Sequence, residues 1–122
     1  MQRDPDEISR EDRIRLTHML EAAQHATQYC LIHDVEKLRA DHMRLLAVVK
    51  SIEILGEAAT KVSDAMQSRL PMIDWQGIRR MRNRLIHGYD SIDVVLVWNA
   101  VENDIPPLIA ALKTALETRP NT

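Results

Sequence analysis

Apolar positions recur every three or four residues along most of this chain, the spacing of helices with one buried face. The first stripe comprises Leu16, Met19, Leu20, Ala23, Ala26, Thr27 and Cys30. Ahead of it, Ser9-Arg10-Glu11-Asp12 has the form of a capping box, with Asp in place of the usual Glu. A helix is therefore predicted from there to about Leu31. Asp34 can cap a short turn, Val35 to Arg39. A second stripe, Leu45, Val48, Val49, Ile52, Leu55, Ala59, Val62 and Met66, predicts the longest helix, from about Asp41 to Arg69. Gly56 falls in its middle, where glycine costs up to about 1 kcal/mol relative to Ala. The usual compensation is close approach of a neighbouring helix.

Pro71 ends that helix, and Asp74 can cap the next, Trp75 to about His87, which Gly88 would stop. A turn at Asp90-Ser91 leads to a helix from near Asp93 that carries Val94, Val97, Trp98 and Val101. Pro106 and Pro107 lack amide hydrogens and should kink or break it. A last amphipathic segment runs from Leu108 to about Thr118. Residues 1–8 read as a loose polar arm, and 119–122 as a polar tail. There is no internal repeat and no long linker. The expectation is one all-α domain over residues 1–122, an antiparallel bundle of four or five helices.

Composition narrows the class without changing the fold. Hydrophobic residues make up 45% and charged ones 28%, as in ordinary globular domains. The lone cysteine, Cys30, has no internal disulfide partner and reads as a small buried hydrophobe. The N-terminus is charged from Arg3 onward, and no apolar run approaches the roughly 20 residues a membrane span requires. A cytoplasmic protein with no membrane contact is expected.

Charge distribution is more informative than net charge. The chain carries −2 overall, yet Arg79, Arg80, Arg82 and Arg84 crowd six residues, followed by His87 and Tyr89. Arginine binds phosphate oxygens, and histidine moves protons near neutral pH. Together they suggest chemistry on a phosphodiester. On a helix, Arg82 and His87 lie about 140° apart at roughly 100° per residue, so their side chains can converge only near the helix end. Asn83 sits one turn before His87 and could orient its ring. Spacing alone leaves open a solvated arginine face with His87 as a C-terminal cap, which the helix dipole favours. Glu57, beside Gly56, could pair with Arg82 or Asn83, or simply be exposed.

The segment from Met81 to Tyr89 resembles the signature of HEPN-domain proteins, Arg followed by four to six residues and then His. More narrowly it resembles the HepT toxins of HepT/MntA toxin–antitoxin systems, whose version ends in His-x-Tyr. Ile54-Leu55-Gly56-Glu57-Ala58-Ala59 is similar to the Ile-Gly-Glu-Ala stretch of that family. Trp75 matches a Trp ahead of the arginine. Trp98 with Asn103-Asp104-Ile105-Pro106 fits a later helix. The resemblance covers most of the chain.

It implies a metal-independent ribonuclease without cofactors, working as a two-fold homodimer with a composite site. Arg82 and His87 would be catalytic, Asn83 and Glu57 orienting, and Arg79, Arg80 and Arg84 RNA-binding. Cleavage of RNA by its own 2′-OH needs a base, an acid and positive charge for the developing phosphorane. One histidine cannot easily be both base and acid in a single step, and a dimer supplies two. The resemblance also implies a partner, an MntA-like nucleotidyltransferase antitoxin that modifies Tyr89. The RNA, with tRNA and mRNA as candidates, is not specified by the residues.

Two other readings remain. One is a catalytically silent HEPN module that binds a nucleotidyltransferase or an RNA. The other is a basic helix that docks nucleic acid as a regulator, disfavoured by the net charge and by the absence of a helix-turn-helix pattern. A metal site is not expected. His18 and His25 share a face with Glu21, but no Glu precedes a His by three residues, as di-iron bundles require.

Overall fold

In the computed structural model, which describes residues 7–32, 34–86 and 92–117, the regular elements are helices. They are α1 (Arg10–Tyr29), α2 (Val35–Ala40), α3 (His42–Thr60), α4 (Asp64–Arg69), α5 (Trp75–Ile86), α6 (Val94–Asn99) and α7 (Ile105–Leu116). Five π-helical residues, Ala100–Asp104, join α6 to α7.

The α1–α3 pair forms the centre of the bundle. Leu16, Met19, Ala23 and Ala26 of α1 are fully buried or nearly so, against Leu45, Val48, Ile52 and Leu55 of α3. Removing a Leu or Met side chain from water contributes about 1.5–3 kcal/mol, and the alanines let the helix axes approach. The two helices run antiparallel. At one end, Arg44 Nη1 at the start of α3 donates to Tyr29 O at the end of α1 (2.7 Å), satisfying a terminal carbonyl. At the other end, Asp12 of α1 meets Ser63 just beyond α3. Arg13 Nη1 donates to Leu116 O (3.1 Å), so α7 also runs antiparallel to α1. Asp41 caps α3 through Arg44 N, and the hydrogen bonds from Arg44 hold its carboxyl below the usual carboxylate range. Cys30 is buried as expected, and burial pushes its thiol upward.

Several sequence expectations need correction. The predicted helix over 41–69 is broken at residues 61–63, which leaves α1, at 20 residues, longer than α3, at 19. Its apolar stripe is nonetheless real, because Ala59, Val62 and Met66 are all buried. The break has a polar cause. Ser63 Oγ caps α4 by accepting from Met66 N (3.1 Å). Ser63 N and Oγ in turn donate to Asp12 Oδ1 (2.8 Å) and Oδ2 (2.7 Å). An unbroken helix would commit that amide to Ala59 O. Instead the Gln67 side chain donates to Val62 O (3.0 Å) and, more weakly, to Ala59 O (3.5 Å).

The capping box is only half formed. Ser9 Oγ accepts from Asp12 N (3.1 Å) as anticipated, but the Asp12 carboxylate is 8% exposed and turned toward Ser63. Ile8, assigned to the loose arm, is 1% exposed and belongs to the core, and Arg69 Nη1 donates to the carbonyl of Glu7 (2.8 Å). The arm's residues 1–6 and the tail's 119–122 lie outside the described residues.

The proline pair does not interrupt the chain's helical path. Pro106 and Pro107 occupy the first turn of α7, where missing amide hydrogens do least harm. The helix changes type just before them, which absorbs the lost i→i−4 bonds as a widened π turn.

Candidate active site

The short helix α5 is positioned at its start by Asp74, whose Oδ1 accepts from Gly77 N (2.9 Å). Trp75 is buried, and its indole Nε1 donates to Leu70 O (3.0 Å). Leu85 is buried near the other end, with Ile78 and Met81 packed against the core between them. Arg82 follows Ile78 by four residues and precedes Leu85 by three. It therefore lies on the packed face of α5, next to α3, and not on the outward face with Arg80.

That placement brings Arg82 against Gly56. A Cβ built onto Gly56 would lie 2.6 Å from Arg82 Cβ and 3.0 Å from its Cγ and Cδ. The close helix approach expected at Gly56 is thus present, and the approaching group is the arginine itself. With its stem set over the glycine, the guanidinium reaches the next residue of α3. Arg82 Nη2 donates to Glu57 Oε2 at 2.6 Å, a short charge-assisted hydrogen bond. The arginine side chain is 27% exposed and the glutamate 48%, so the pair sits at the surface with its cation partly shielded.

Asn83 is exposed, and its Oδ1 accepts a long contact of 3.4 Å from Arg82 Nη1. Arg82, Asn83 and Glu57 are therefore brought together. Arg79 is half-buried, whereas Arg80 and Arg84 are exposed. His87, Tyr89, Gly88 and the Asp90-Ser91 turn lie outside the described residues.

Sequence reading missed one charged group. Lys61, at the C-terminus of α3, places Nζ 3.7 Å from Glu57 Oε1. Its position four residues after a glutamate was a usable signal, because Glu followed by Lys at that spacing is the favourable order on a helix. Asp12 was read only as a helix cap, and its long-range role left no local signature.

A cavity of about 290 Å³ among the described residues lies elsewhere, between α3, α5, the π turn and α7. Ile52, Leu55, Ile78, Met81, Leu108 and Ala111 line it, and none of the predicted site residues does. The candidate chemistry is thus an open surface arrangement, which suits a polymeric substrate better than an enclosed small molecule.

A family model for HepT-like ribonucleases matches residues 19–115, a span that includes Gly56, Glu57, Arg82 and Asn83. The chain belongs to the HepT-like ribonuclease family. Among curated relatives it is 37% identical over 73 residues to “Probable ribonuclease HepT” of Thermococcus cleftensis, a match covering 60% of this chain and 66% of that one. It is 30% identical over 93 residues to “Putative RNase MJ1380” of Methanocaldococcus jannaschii, covering 76% and 85%. No solved structure matches the chain. The Arg82 stem over Gly56 and the Glu57 carboxylate across the α3–α5 seam set this arginine apart from the exposed Arg80 and Arg84. No described helix is long and apolar enough to cross a membrane.

Proposed function

We propose that this chain is a metal-independent RNA endonuclease that acts as a homodimeric toxin. The observation that carries the reading is the Arg82 guanidinium, set over Gly56 and held by Glu57 at 2.6 Å, in a chain of the HepT-like ribonuclease family. Arg82 is the electrostatic group. Its donors match phosphoryl oxygens and stabilise the charge that builds as the 2′-oxygen attacks phosphorus. His87 is the proton-transfer group, because imidazole changes charge near neutral pH. One copy takes the 2′-OH proton, and the copy from the second protomer protonates the departing 5′-oxygen. The P–O5′ bond breaks, leaving a 2′,3′-cyclic phosphate and a 5′-hydroxyl. Asn83 and Glu57 orient, and Arg79, Arg80 and Arg84 hold the RNA backbone.

Replacing His87 with Ala should abolish cleavage of RNA and toxicity on expression while leaving the oligomeric state unchanged. Full cleavage by that variant would sink the mechanism. An intact parent protein that binds RNA and leaves it uncut would instead favour the silent-module reading.

The partner in this reading is an MntA-like nucleotidyltransferase that modifies Tyr89, two residues from His87. Added nucleotide would bring bulk and negative charge to the arginines and compete there with RNA phosphate. Tyr89→Phe should take up no label from a radiolabelled nucleoside triphosphate in the presence of that enzyme. Equal labelling of the variant and the parent would disprove the site.

A further inference from the structure

Glu57 is shared between two cations. Its Oε2 accepts from Arg82 Nη2 at 2.6 Å, and its Oε1 lies 3.7 Å from Lys61 Nζ. Arg82 and Glu57 alone sum to zero charge. A phosphodiester approaching Arg82 would therefore meet a carboxylate of its own sign on the same spot, and any loosening of the Arg82–Glu57 pair would leave that carboxylate bare beside the phosphate. Lys61 brings the three-residue group to a net charge of +1. It is also well placed to hold Glu57 when Arg82 turns outward. It follows Glu57 by one helical turn, it caps α3 where the helix dipole favours a cation, and at 49% exposure its ammonium reaches solvent.

We propose that Lys61 is a further RNA-binding residue, contacting a backbone phosphate next to the one held by Arg82 and neutralising Glu57 while that arginine is engaged. The cationic surface thereby extends from α5 onto the end of α3. The assignment rests on the ribonuclease reading above. A plain surface ion pair, which contributes little to stability and nothing to binding, is the alternative.

The test measures binding of a single-stranded oligoribonucleotide to the full chain over a range of salt concentrations, in the His87→Ala background so that the RNA stays intact. Each phosphate contact to a single strand contributes about 0.7 to the slope of log affinity against log salt. Lys61→Gln should lower the slope by about that amount and weaken binding several-fold at low salt, and Lys61→Arg should restore both. In the His87-containing chain, Lys61→Gln should raise KM with kcat nearly unchanged. An unchanged slope in Lys61→Gln, with RNA still bound by the parent, overturns the Lys61 assignment and leaves the ribonuclease reading standing. Absence of any RNA binding by the parent overturns both.

Discussion

Gly56 and Arg82 occupy one another's space: a Cβ at position 56 would sit 2.6 Å from Arg82 Cβ, closer than real Cβ atoms approach. The stem of the arginine is attached to the helix backbone at that point, so it cannot swing aside as a flexible tip would. The absence of a side chain on α3 therefore fixes where the guanidinium of α5 emerges, and Glu57, the next residue, receives it.

Gly56→Ala sets two effects in opposition. A better helix former adds up to about 1 kcal/mol to α3, while overpacking of this kind costs about 1–3 kcal/mol. The steric effect should win, with a net loss near 1 kcal/mol in chemical denaturation. RNA cleavage should fall at least ten-fold, out of proportion to that loss, because α5 must shift and carry Arg82 with it. A variant with parent-like cleavage would show that the seam tolerates a side chain and that Gly56 does not position the arginine.

Glu57→Gln keeps the shape of the carboxylate and removes its charge. The pair is half-exposed, so its loss should change stability by less than about 1 kcal/mol. The expected kinetic result is a split. RNA should bind more tightly, since the local charge rises, and kcat should fall, since the guanidinium is no longer aimed. Separate measurement of kcat and KM reads both. A fall in affinity with kcat intact would contradict an orienting role.

Asp12 should matter for stability and not directly for chemistry. Asp12→Ala strips two acceptors from Ser63 and leaves a part-buried amide unpaired, a change costing about 1–3 kcal/mol. Thermal unfolding should drop by roughly 3–10 °C for a domain of this size. Ser63→Ala should cost less, and the double variant should cost less than the two singles together, because both disrupt one network. Strict additivity in that cycle would mean that Asp12 and Ser63 act independently.

The helices were legible because burial of one face imposes a period that local sequence carries. Leu45, Val48, Val49, Ile52 and Leu55 announce α3, and the caps at Ser9, Asp34 and Asp74 form where their side chains predict. The break at residues 61–63 was not legible, because the apolar stripe continues through it and its cause, Asp12, lies 51 residues away. The arginine cluster and Gly56 were each visible along the chain, but which arginine fills the glycine's space was not.

Sequence by itself determined the all-helical class, the caps at Ser9, Asp34 and Asp74 and the glycine's need for a close neighbour, since each of these follows from local spacing and residue type. Tertiary structure alone decided that Arg82, and not Arg79, Arg80 or Arg84, meets Gly56 and Glu57, that Lys61 joins them on the same carboxylate, and that Asp12 ends α3. Those outcomes depend on how α1, α3 and α5 pack across one another. A helix carries its period in its own residues, but the partner it meets across a seam is set by the packing of the whole bundle.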